Sequence, residues 1–170
     1  LCGRSVLVTG VGMLGMIAVV AARAGGARRI IASDPDPRSR ALVADLADVV
    51  SGPGGGHLVD VSLEFSGAAS AVSECLASLD IGGRAVLAGT VAPVGDVQVD
   101  PEWLVRGWRT VTGVHNYEPR HLEEAVAFLD SEGDQLPWDQ LLDGPVPLDR
   151  LPEVFATASP AARVVITTGG

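Results

Sequence analysis

Short apolar runs alternate with stretches of helical spacing along most of this chain. Several of the apolar runs are rich in β-branched residues, which favour strands. Because helices cover both faces of a parallel sheet, its buried strands are nearly continuous apolar runs of this kind. The predicted strands are Ser5–Thr9, Arg29–Ser33, Leu58–Phe65, Arg84–Ala88, Thr110–Val114 and Arg163–Thr167. The predicted fold class is α/β, with a doubly wound parallel sheet in a three-layer α/β/α arrangement.

Helices are predicted between these strands, where apolar residues recur every three or four positions. They are Met13–Ala24, a polar helix from about Pro37, Ala68–Leu79, a short helix from Pro101 to about Gly107, His121–Ser131 and Leu151–Ala158. In the polar helix, Ala41, Leu42 and Leu46 are expected to face inward. Glycine and proline predict a loop over 51–56 and a turn at Ile81–Gly83.

The first predicted strand runs directly into a turn that contains Gly10, Gly12 and Gly15. The first glycine permits a sharp turn, the second lets backbone amides approach an anion, and the third lets the next helix pack close to the strand. The N-terminus of that helix carries unpaired N–H groups, which attract phosphates. We expect the amides of Met13 and Leu14 to bind the pyrophosphate of a dinucleotide.

A lone acidic residue, Asp34, ends the second predicted strand, nineteen residues after Gly15. An acid about 20 residues beyond such a turn receives the ribose hydroxyls of a bound dinucleotide. The alternative is that the glycines only make a tight turn between strand and helix and that Asp34, which precedes a proline, starts the next helix turn. The strand and helix around the glycines favour the dinucleotide site.

Ligands of open α/β sheets lie beyond the carboxyl ends of the strands. The candidate segments at these ends are Gly10–Gly15, Asp34, Phe65–Gly67, Ala88–Thr90 and Val114–Asn116. Glu64, which directly precedes one of them, is expected to belong to the sheet rather than to the chemistry.

Composition narrows the function further. The chain has 170 residues, enough for one domain, and a net charge of −9 that disfavours nucleic acid as a partner. No apolar run approaches the roughly 20 residues that span a bilayer, and no leader resembles a signal peptide, so we expect a cytoplasmic protein without a membrane partner. Cys2 and Cys75 lack the spacing of metal ligands and are expected to be reduced, inert thiols.

Three segments together resemble one known family. They are Val8–Gly15, Val59–Gly67 and Gly82–Gly89. They resemble the coenzyme-binding half of the medium-chain dehydrogenase/reductases, the zinc-type alcohol dehydrogenase superfamily, and the likeness extends to Leu148–Thr167. Gly113–Leu122 is similar to the group of phosphonate-catabolism-associated alcohol dehydrogenases. The resemblance implies a Rossmann fold.

At the adenosine end, the resemblance implies four contacts to the coenzyme. Asp34 would bind the adenosine ribose and favour NAD over NADP, because a carboxylate repels a 2′-phosphate. Arg38 would lie beside the adenosine, although a solvated arginine at a helix start is an equal alternative. Phe65 and Ser66 would line the adenosine side.

At the other end, the resemblance implies contacts from the backbone of Ala88, Val114 and Asn116 to the nicotinamide carboxamide. Arg163 would reach the pyrophosphate; its alternative is a surface arginine at a strand start.

In this family, hydride transfer needs a second domain, which supplies the substrate cleft and, in zinc-dependent members, the metal ligands. We predict no catalytic and no metal-binding residue in this chain, and we expect residues to be missing before Leu1. Residues 1–147 would form the NAD(P)-binding domain, and 148–170 a helix and strand that return to the absent domain. That last strand is expected to be exposed, disordered or paired with another molecule. Between Asp34 and Gly67 the chain is shorter than the family pattern, which indicates an abbreviated element or missing residues.

The predicted function is therefore the coenzyme-binding portion of an oxidoreductase that transfers hydride between NAD and an alcohol or aldehyde. Zinc is expected only in the absent domain, and the isolated chain is expected to be inactive. One alternative is a methyltransferase that uses S-adenosylmethionine, which also binds at a glycine-rich first turn. Another is a noncatalytic nucleotide-binding or oligomerisation module, since Thr110–Val114 could pair two copies as a homodimer through the sheet edge.

Overall fold

A computed structural model describes residues 1–157 and 161–169 of the chain. These described residues form two compact units, the first comprising Leu1–Gln135 and the second beginning at Leu136. The predicted boundary at 147/148 therefore comes twelve residues later than the structural division. The difference arises because the segment before residue 148 pairs with the last strand of the chain.

Among the described residues of the first unit, six parallel strands form one sheet. They are β1 (Ser5–Thr9), β2 (Arg29–Ser33), β3 (Val49–Ser51), β4 (Val59–Glu64), β5 (Leu79–Leu87) and β6 (Thr110–Gly113). The strand order is β3-β2-β1-β4-β5-β6. The chain reverses its direction of winding between β1 and β4, which makes the carboxyl ends of these two strands the switch point of the sheet. The doubly wound α/β fold predicted from the sequence is confirmed.

In the first unit, two departures from the predicted strands exceed a single residue at an end. The three-residue strand β3 was not predicted, because a pair of valines before a glycine-rich loop is too short to show a period. Strand β5 begins at Leu79, five residues before the predicted start at Arg84. Leu79 pairs with Val59, after which the register shifts. The predicted turn at Ile81–Gly83 is therefore an irregularity inside a strand, where Gly82 has a φ of +75°.

Helices cover this sheet, and some of them begin at a capping side chain. They are α1 (Met13–Ala24), α2 (Pro37–Leu42), α3 (Ala69–Ala77), α4 (Pro101–Arg106) and α5 (Pro119–Glu132). Asp36 caps α2 by accepting a hydrogen bond from the Arg38 backbone N–H at 2.9 Å. Helix α2 ends at Leu42, earlier than the pattern of Ala41, Leu42 and Leu46 implies. Ala41 is exposed and Val43 is buried, so the expectation that Ala41 faces inward is wrong.

The core of the first unit surrounds β1. All five residues of β1 are buried, as are the last four of β2. Met16 and Val19 of α1 are also fully buried. Burying each large aliphatic side chain contributes roughly 1.5–3 kcal/mol before the loss of conformational entropy is subtracted. Because β1 is buried and lies between β2 and β4, the glycine turn that follows it is anchored to the core of the sheet.

The second unit contains a two-stranded sheet. Its described elements are α6 (Trp138–Leu141), β7 (Leu142–Pro147), α7 (Leu151–Ala156) and β8 (Arg163–Thr167). Strand β8 pairs in parallel with β7, and every second residue along β8 is exposed. The sequence pattern did not reveal β7, so pairing of this strand within the chain was not among the expected alternatives. The predicted end of the preceding helix at Ala158 lies outside the described residues.

No helix in the described part of the chain is both long and apolar enough to cross a membrane. Both cysteines are free; Cys2 is exposed and Cys75 is buried. Burial raises the pKa of the Cys75 thiol to about 11, so the thiolate form is scarce at neutral pH.

At the amino end of the sheet, the carboxylate of Asp60 ties β4 to β1. Oδ2 of Asp60 accepts hydrogen bonds from the backbone N–H and the hydroxyl of Ser5, both at 2.7 Å. Arg28 and Arg4 approach the same carboxylate at 3.2 and 3.4 Å. The Ser5 backbone bond, followed by the Ser5 hydroxyl bond, holds the pKa of Asp60 well below its ordinary range.

We predict that Asp60→Asn destabilises the protein by about 1 to 2 kcal/mol at pH 7, because an amide accepts fewer of these hydrogen bonds. The two arginines are mostly exposed and contribute little. Since the folded-state pKa is depressed, the stabilisation is present above the unfolded-state pKa of about 3.9 and is lost as pH falls through the folded-state value.

Urea denaturation of wild type and variant between pH 7 and pH 3 measures this difference. The gap in the free energy of unfolding should shrink below about pH 4. Asp45→Asn is the control, because Asp45 is exposed and has no hydrogen bond or ion pair within the described residues. A gap that stays constant down to pH 3 would contradict the assignment.

Candidate functional site

The turn after β1 is packed tightly against the loop after β4. Gly10 has a φ of +78°, and its N–H donates to the Ser33 carbonyl at 2.9 Å. A Cβ atom at Gly10 would lie 2.6 Å from the Ser66 backbone nitrogen. Glycine is therefore required here both for the left-handed backbone and for the close approach.

The other two glycines of the turn have different surroundings. A Cβ at Gly15 would overlap the carbonyl oxygen of Gly10, so glycine is what lets α1 start so close to β1. A Cβ at Gly12 would meet no atom within 4 Å. No packing within the first unit explains the glycine at this position, and the open space beside it is where a ligand could approach the backbone.

The N-terminus of α1 lies at this open space. The helical hydrogen bonds begin with the Met16 N–H, which donates to the Gly12 carbonyl at 2.9 Å. The amides of Met13 and Leu14 precede this bond and have no acceptor within the helix. They are placed as the sequence predicts for anion binding, and their contact with a ligand stays a prediction.

Asp34 lies beside the glycine turn. Its side chain is largely buried, with the residue 9% exposed. Oδ2 accepts from the Val11 N–H and Oδ1 from the Asp36 N–H, both at 2.8 Å. Each oxygen retains acceptor capacity for a further donor. The carboxylate is thus held in one orientation next to the turn, which suits a residue that receives ribose hydroxyls.

Two arginines follow Asp34, and the structure separates their roles. The guanidinium of Arg40 donates to the carbonyls of Asp34 and Pro35 at 2.7 and 2.8 Å. Arg38 is exposed, and its guanidinium has no hydrogen bond or ion pair within the described residues. Sequence reasoning overlooked Arg40, which shapes the loop; Arg38 is the arginine left available to a ligand.

A small cavity of about 120 Å³ lies between the glycine turn, the end of β2 and the loop after β4. Its lining residues include Thr9, Gly10, Ser33, Pro35, Pro53, Ser66 and Glu74. Of the two residues predicted on the adenosine side, Ser66 lines it. Phe65 is not among the lining residues; it is half-buried, and its N–H donates to the Thr9 carbonyl at 2.9 Å.

Glu74 is a residue at this cavity that sequence reasoning missed. Its carboxylate on α3 accepts from the Ser33 hydroxyl at 2.9 Å and from the Gly54 N–H at 3.0 Å. It therefore fastens the glycine-rich loop 52–56 to the end of β2. The only sequence signal was a glutamate in the predicted helix. Glutamates are so common in helices that this signal did not distinguish Glu74 from the others.

A second, open cavity of about 470 Å³ lies at the carboxyl ends of β5 and β6. Its lining residues are Leu87, Thr90, Val91, Gly113, Val114 and His115. The N–H of Val114 already donates to the Leu87 carbonyl at 3.0 Å, and the N–H of Ala88 donates to Glu64 at 2.9 Å. Backbone contacts from these two residues to a ligand would have to come from their carbonyl oxygens. Asn116 follows in a left-handed conformation with a φ of +60° and is exposed.

Glu64 joins the loops at these two cavities. The residue is fully buried, with 0% exposure. Oε1 accepts from the backbone N–H of Ser66 at 2.6 Å and of Gly67 at 2.7 Å. Oε2 accepts from the Thr90 hydroxyl at 3.0 Å. The expectation that Glu64 only belongs to the sheet underestimates it, because its side chain reaches past the strand end.

Arg163 belongs to the second unit. It begins β8, and its guanidinium donates to the Ala162 carbonyl at 2.8 Å. A contact with the pyrophosphate stays a prediction. Among the described residues, no three His, Cys, Asp or Glu side chains are grouped so that they could hold a metal ion.

Gly12 and Gly15 have different surroundings, so replacing each with alanine should change the stability of the protein by different amounts. Gly15→Ala should destabilise the protein by about 3 kcal/mol, because the new carbon overlaps the Gly10 carbonyl. Gly12→Ala should cost less than about 1 kcal/mol, since its new carbon enters open space. Thermal and urea unfolding of the two variants measures the difference. Equal destabilisation of both would show that the helix does not approach the strand as described.

Comparison with known proteins places this geometry in a family. A family model described as zinc-binding dehydrogenase matches residues 13–131. L-Threonine 3-dehydrogenase of Pyrococcus furiosus is 33% identical over 141 residues, which cover 73% of this chain and 38% of the relative. The enzyme of the same name from Rhizobium rhizogenes is 30% identical over 131 residues, covering 69% and 37% of the two chains.

Solved structures give the same result for the fold. L-Idonate 5-dehydrogenase of Escherichia coli is 26% identical, with a TM-score of 0.81 over 98% of this chain and 50% of its own. An alcohol dehydrogenase of Thermotoga maritima has a TM-score of 0.86 at 23% identity, covering 97% and 50%. The chain spans about half the length of these structures and less than two-fifths of the two curated relatives. The resemblance found in the sequence is confirmed: the chain belongs to the zinc-binding dehydrogenase family.

Proposed function

We propose that this chain is the coenzyme-binding portion of an oxidoreductase that transfers hydride between NAD and an alcohol or aldehyde. The observation that carries the proposal is the open space at Gly12, beside the helix N-terminus and the fixed carboxylate of Asp34. These features lie at the switch point of the sheet, where doubly wound folds bind dinucleotides. Membership of the zinc-binding dehydrogenase family supports a redox reaction over methyl transfer.

The residues present fit a nicotinamide dinucleotide along the whole row of strand ends. The amides of Met13 and Leu14 would hold the pyrophosphate, and Asp34 the adenosine ribose. Ser66 would lie on the adenosine side, and the backbone near Val114 would orient the nicotinamide. The coenzyme supplies the hydride chemistry when bound, and this chain supplies binding and orientation.

Asp34 supports NAD as the coenzyme. A carboxylate that receives ribose hydroxyls repels the 2′-phosphate of NADP. The fold by itself does not determine whether NAD or NADP is bound. It is shared, with a TM-score of 0.82 at 23% identity, by a zinc-binding dehydrogenase of Sinorhizobium meliloti that is described as bound to NADP. In this proposal the preference would depend on the Asp34 side chain.

Substrate and zinc would be bound by a part of the enzyme outside the described residues. The described residues offer no group of metal ligands, so no zinc-dependent step is assigned to them. Strand β6 forms one edge of the sheet and all four of its residues are exposed, which supports a homodimer through this edge. A cytoplasmic location completes the proposal.

Calorimetric titration with NADH tests the coenzyme site. The wild-type chain should bind NADH, and Gly12→Ala should weaken binding at least about tenfold, because the added carbon occupies the space for the ligand. Gly133→Ala is the control, since Gly133 has helical dihedral angles and lies outside the strand-end loops.

A folded chain that binds no NADH would contradict the proposal. If light scattering then showed self-association, the oligomerisation module would be the better reading. Displacement of NADH by S-adenosylmethionine would support the methyltransferase.

Asp34→Ser should lower the ratio of NADH affinity to NADPH affinity by about tenfold or more, because the repelling charge is removed. The ratio is the proper measure, since Asp34 also accepts bonds from Val11 and Asp36 and its loss would loosen the turn for both coenzymes. Asp36→Ser is the matched control: serine also caps helices, so α2 should persist and the ratio stay constant. An unchanged ratio in Asp34→Ser would remove Asp34 from the ribose site.

A further inference from the structure

Glu64 is a buried carboxylate to which the proposed function gives no task. It is fully buried, and no cationic side chain in the described part of the chain forms an ion pair with it. Burying a carboxylate is costly unless hydrogen bonds replace the lost water. At Glu64 neutral donors replace the water, and their positions in the fold indicate what the carboxylate does.

The two carboxylate oxygens bind different loops. Oε1 accepts three hydrogen bonds from the loop after β4: from the Ser66 N–H at 2.6 Å, the Ser66 hydroxyl at 2.8 Å and the Gly67 N–H at 2.7 Å. Oε2 accepts one from the loop after β5, donated by the Thr90 hydroxyl at 3.0 Å. One side chain therefore connects the adenosine-side loop (65–67) with the nicotinamide-side loop (88–90).

The backbone repeats this connection. The carbonyl oxygen of Glu64 accepts from the N–H groups of Ala88 and Gly89, both at 2.9 Å. A Cβ at Gly67 would lie 2.7 Å from the Gly89 carbonyl oxygen, and a Cβ at Gly89 would lie 2.6 Å from the Gly67 nitrogen. The loops touch through two glycines, so a shift of one loop must move the other or break these hydrogen bonds.

We propose that Glu64 is a positioning residue that sets the distance between the adenosine-side and nicotinamide-side loops, with Thr90 as its contact on the nicotinamide side. This rests on the proposed function, since both loops are assigned to the coenzyme. The three bonds at Oε1 hold the carboxylate to the adenosine-side loop. The bond at Oε2 orients the side chain of Thr90, which lines the cavity of about 470 Å³. Loss of that bond should loosen the nicotinamide end alone.

Two ligands separate the ends of the site: NADH, and ADP-ribose, which lacks the nicotinamide ring. Thr90→Val should lower the affinity for NADH about tenfold and leave that for ADP-ribose within about twofold, because only the nicotinamide-side loop loses its hydrogen bond. Thr90→Ser, which keeps the hydroxyl, should restore NADH binding. Thr110→Val, the same substitution at the start of β6, is the control and should change neither affinity.

In a Glu64→Met background, Thr90→Val should have no further effect, since a methionine of similar size offers the threonine hydroxyl neither the carboxylate acceptor nor an N–H donor. An equal loss of NADH and ADP-ribose binding in Thr90→Val would overturn the positioning role and leave the coenzyme site in place. So would a Thr90→Ser variant that behaves like Thr90→Val. Failure of the wild-type chain to bind either ligand would overturn the proposed function and the positioning role with it.

Discussion

Backbone segments at the carboxyl ends of the strands approach one another so closely that one added carbon would make them overlap. Gly10 lies against Ser66, and Gly67 lies against Gly89. At the start of α1, Gly15 lies against the Gly10 carbonyl. The turn after β1 and the loops after β4 and β5 are therefore one connected body, although they are far apart in sequence. The site depends on this packing more than on any single side chain.

Carboxylates are held differently at the two ends of β4. Asp60, near the amino end, lies among Ser5 and two arginines, whereas Glu64 at the carboxyl end is held by neutral donors. Near the site, the guanidinium of the half-buried Arg40 donates its hydrogen bonds to two carbonyl oxygens. In the proposed site, a phosphate group would therefore be attracted chiefly by backbone amides, although the chain has a net charge of −9. Short-range hydrogen bonds, rather than long-range charge, would select the ligand.

Much of the fold followed from the sequence because the signals were local. Strands β1 and β2 and helix α1 have the predicted bounds, since continuous apolar runs and a glycine turn mark them. The short strand β3 and the irregular start of β5 were missed, because pairing with a neighbouring strand decides them. The same holds for β7, whose partner β8 comes more than a dozen residues later.

The residues of the candidate site likewise divide into those with a local sequence signal and those without one. Motif spacing indicated the glycines and Asp34, and the structure places them side by side. The sequence did not indicate the roles of Glu64, Glu74 and Arg40, because each role depends on which loop the side chain contacts. No spacing rule reports that a glutamate on α3 fastens a glycine-rich loop to β2, or that one at a strand end contacts two loops.

The shortness of β3 has a consequence for how the protein behaves at high concentration. An edge strand exposes a row of unpaired N–H and C=O groups, which can template the addition of a foreign strand and lead to aggregation. At β3 this row is only three residues long and ends at a glycine-rich loop that Glu74 holds down. A row this short offers little backbone for a foreign strand to pair with, which protects this edge of the sheet against the addition of further strands.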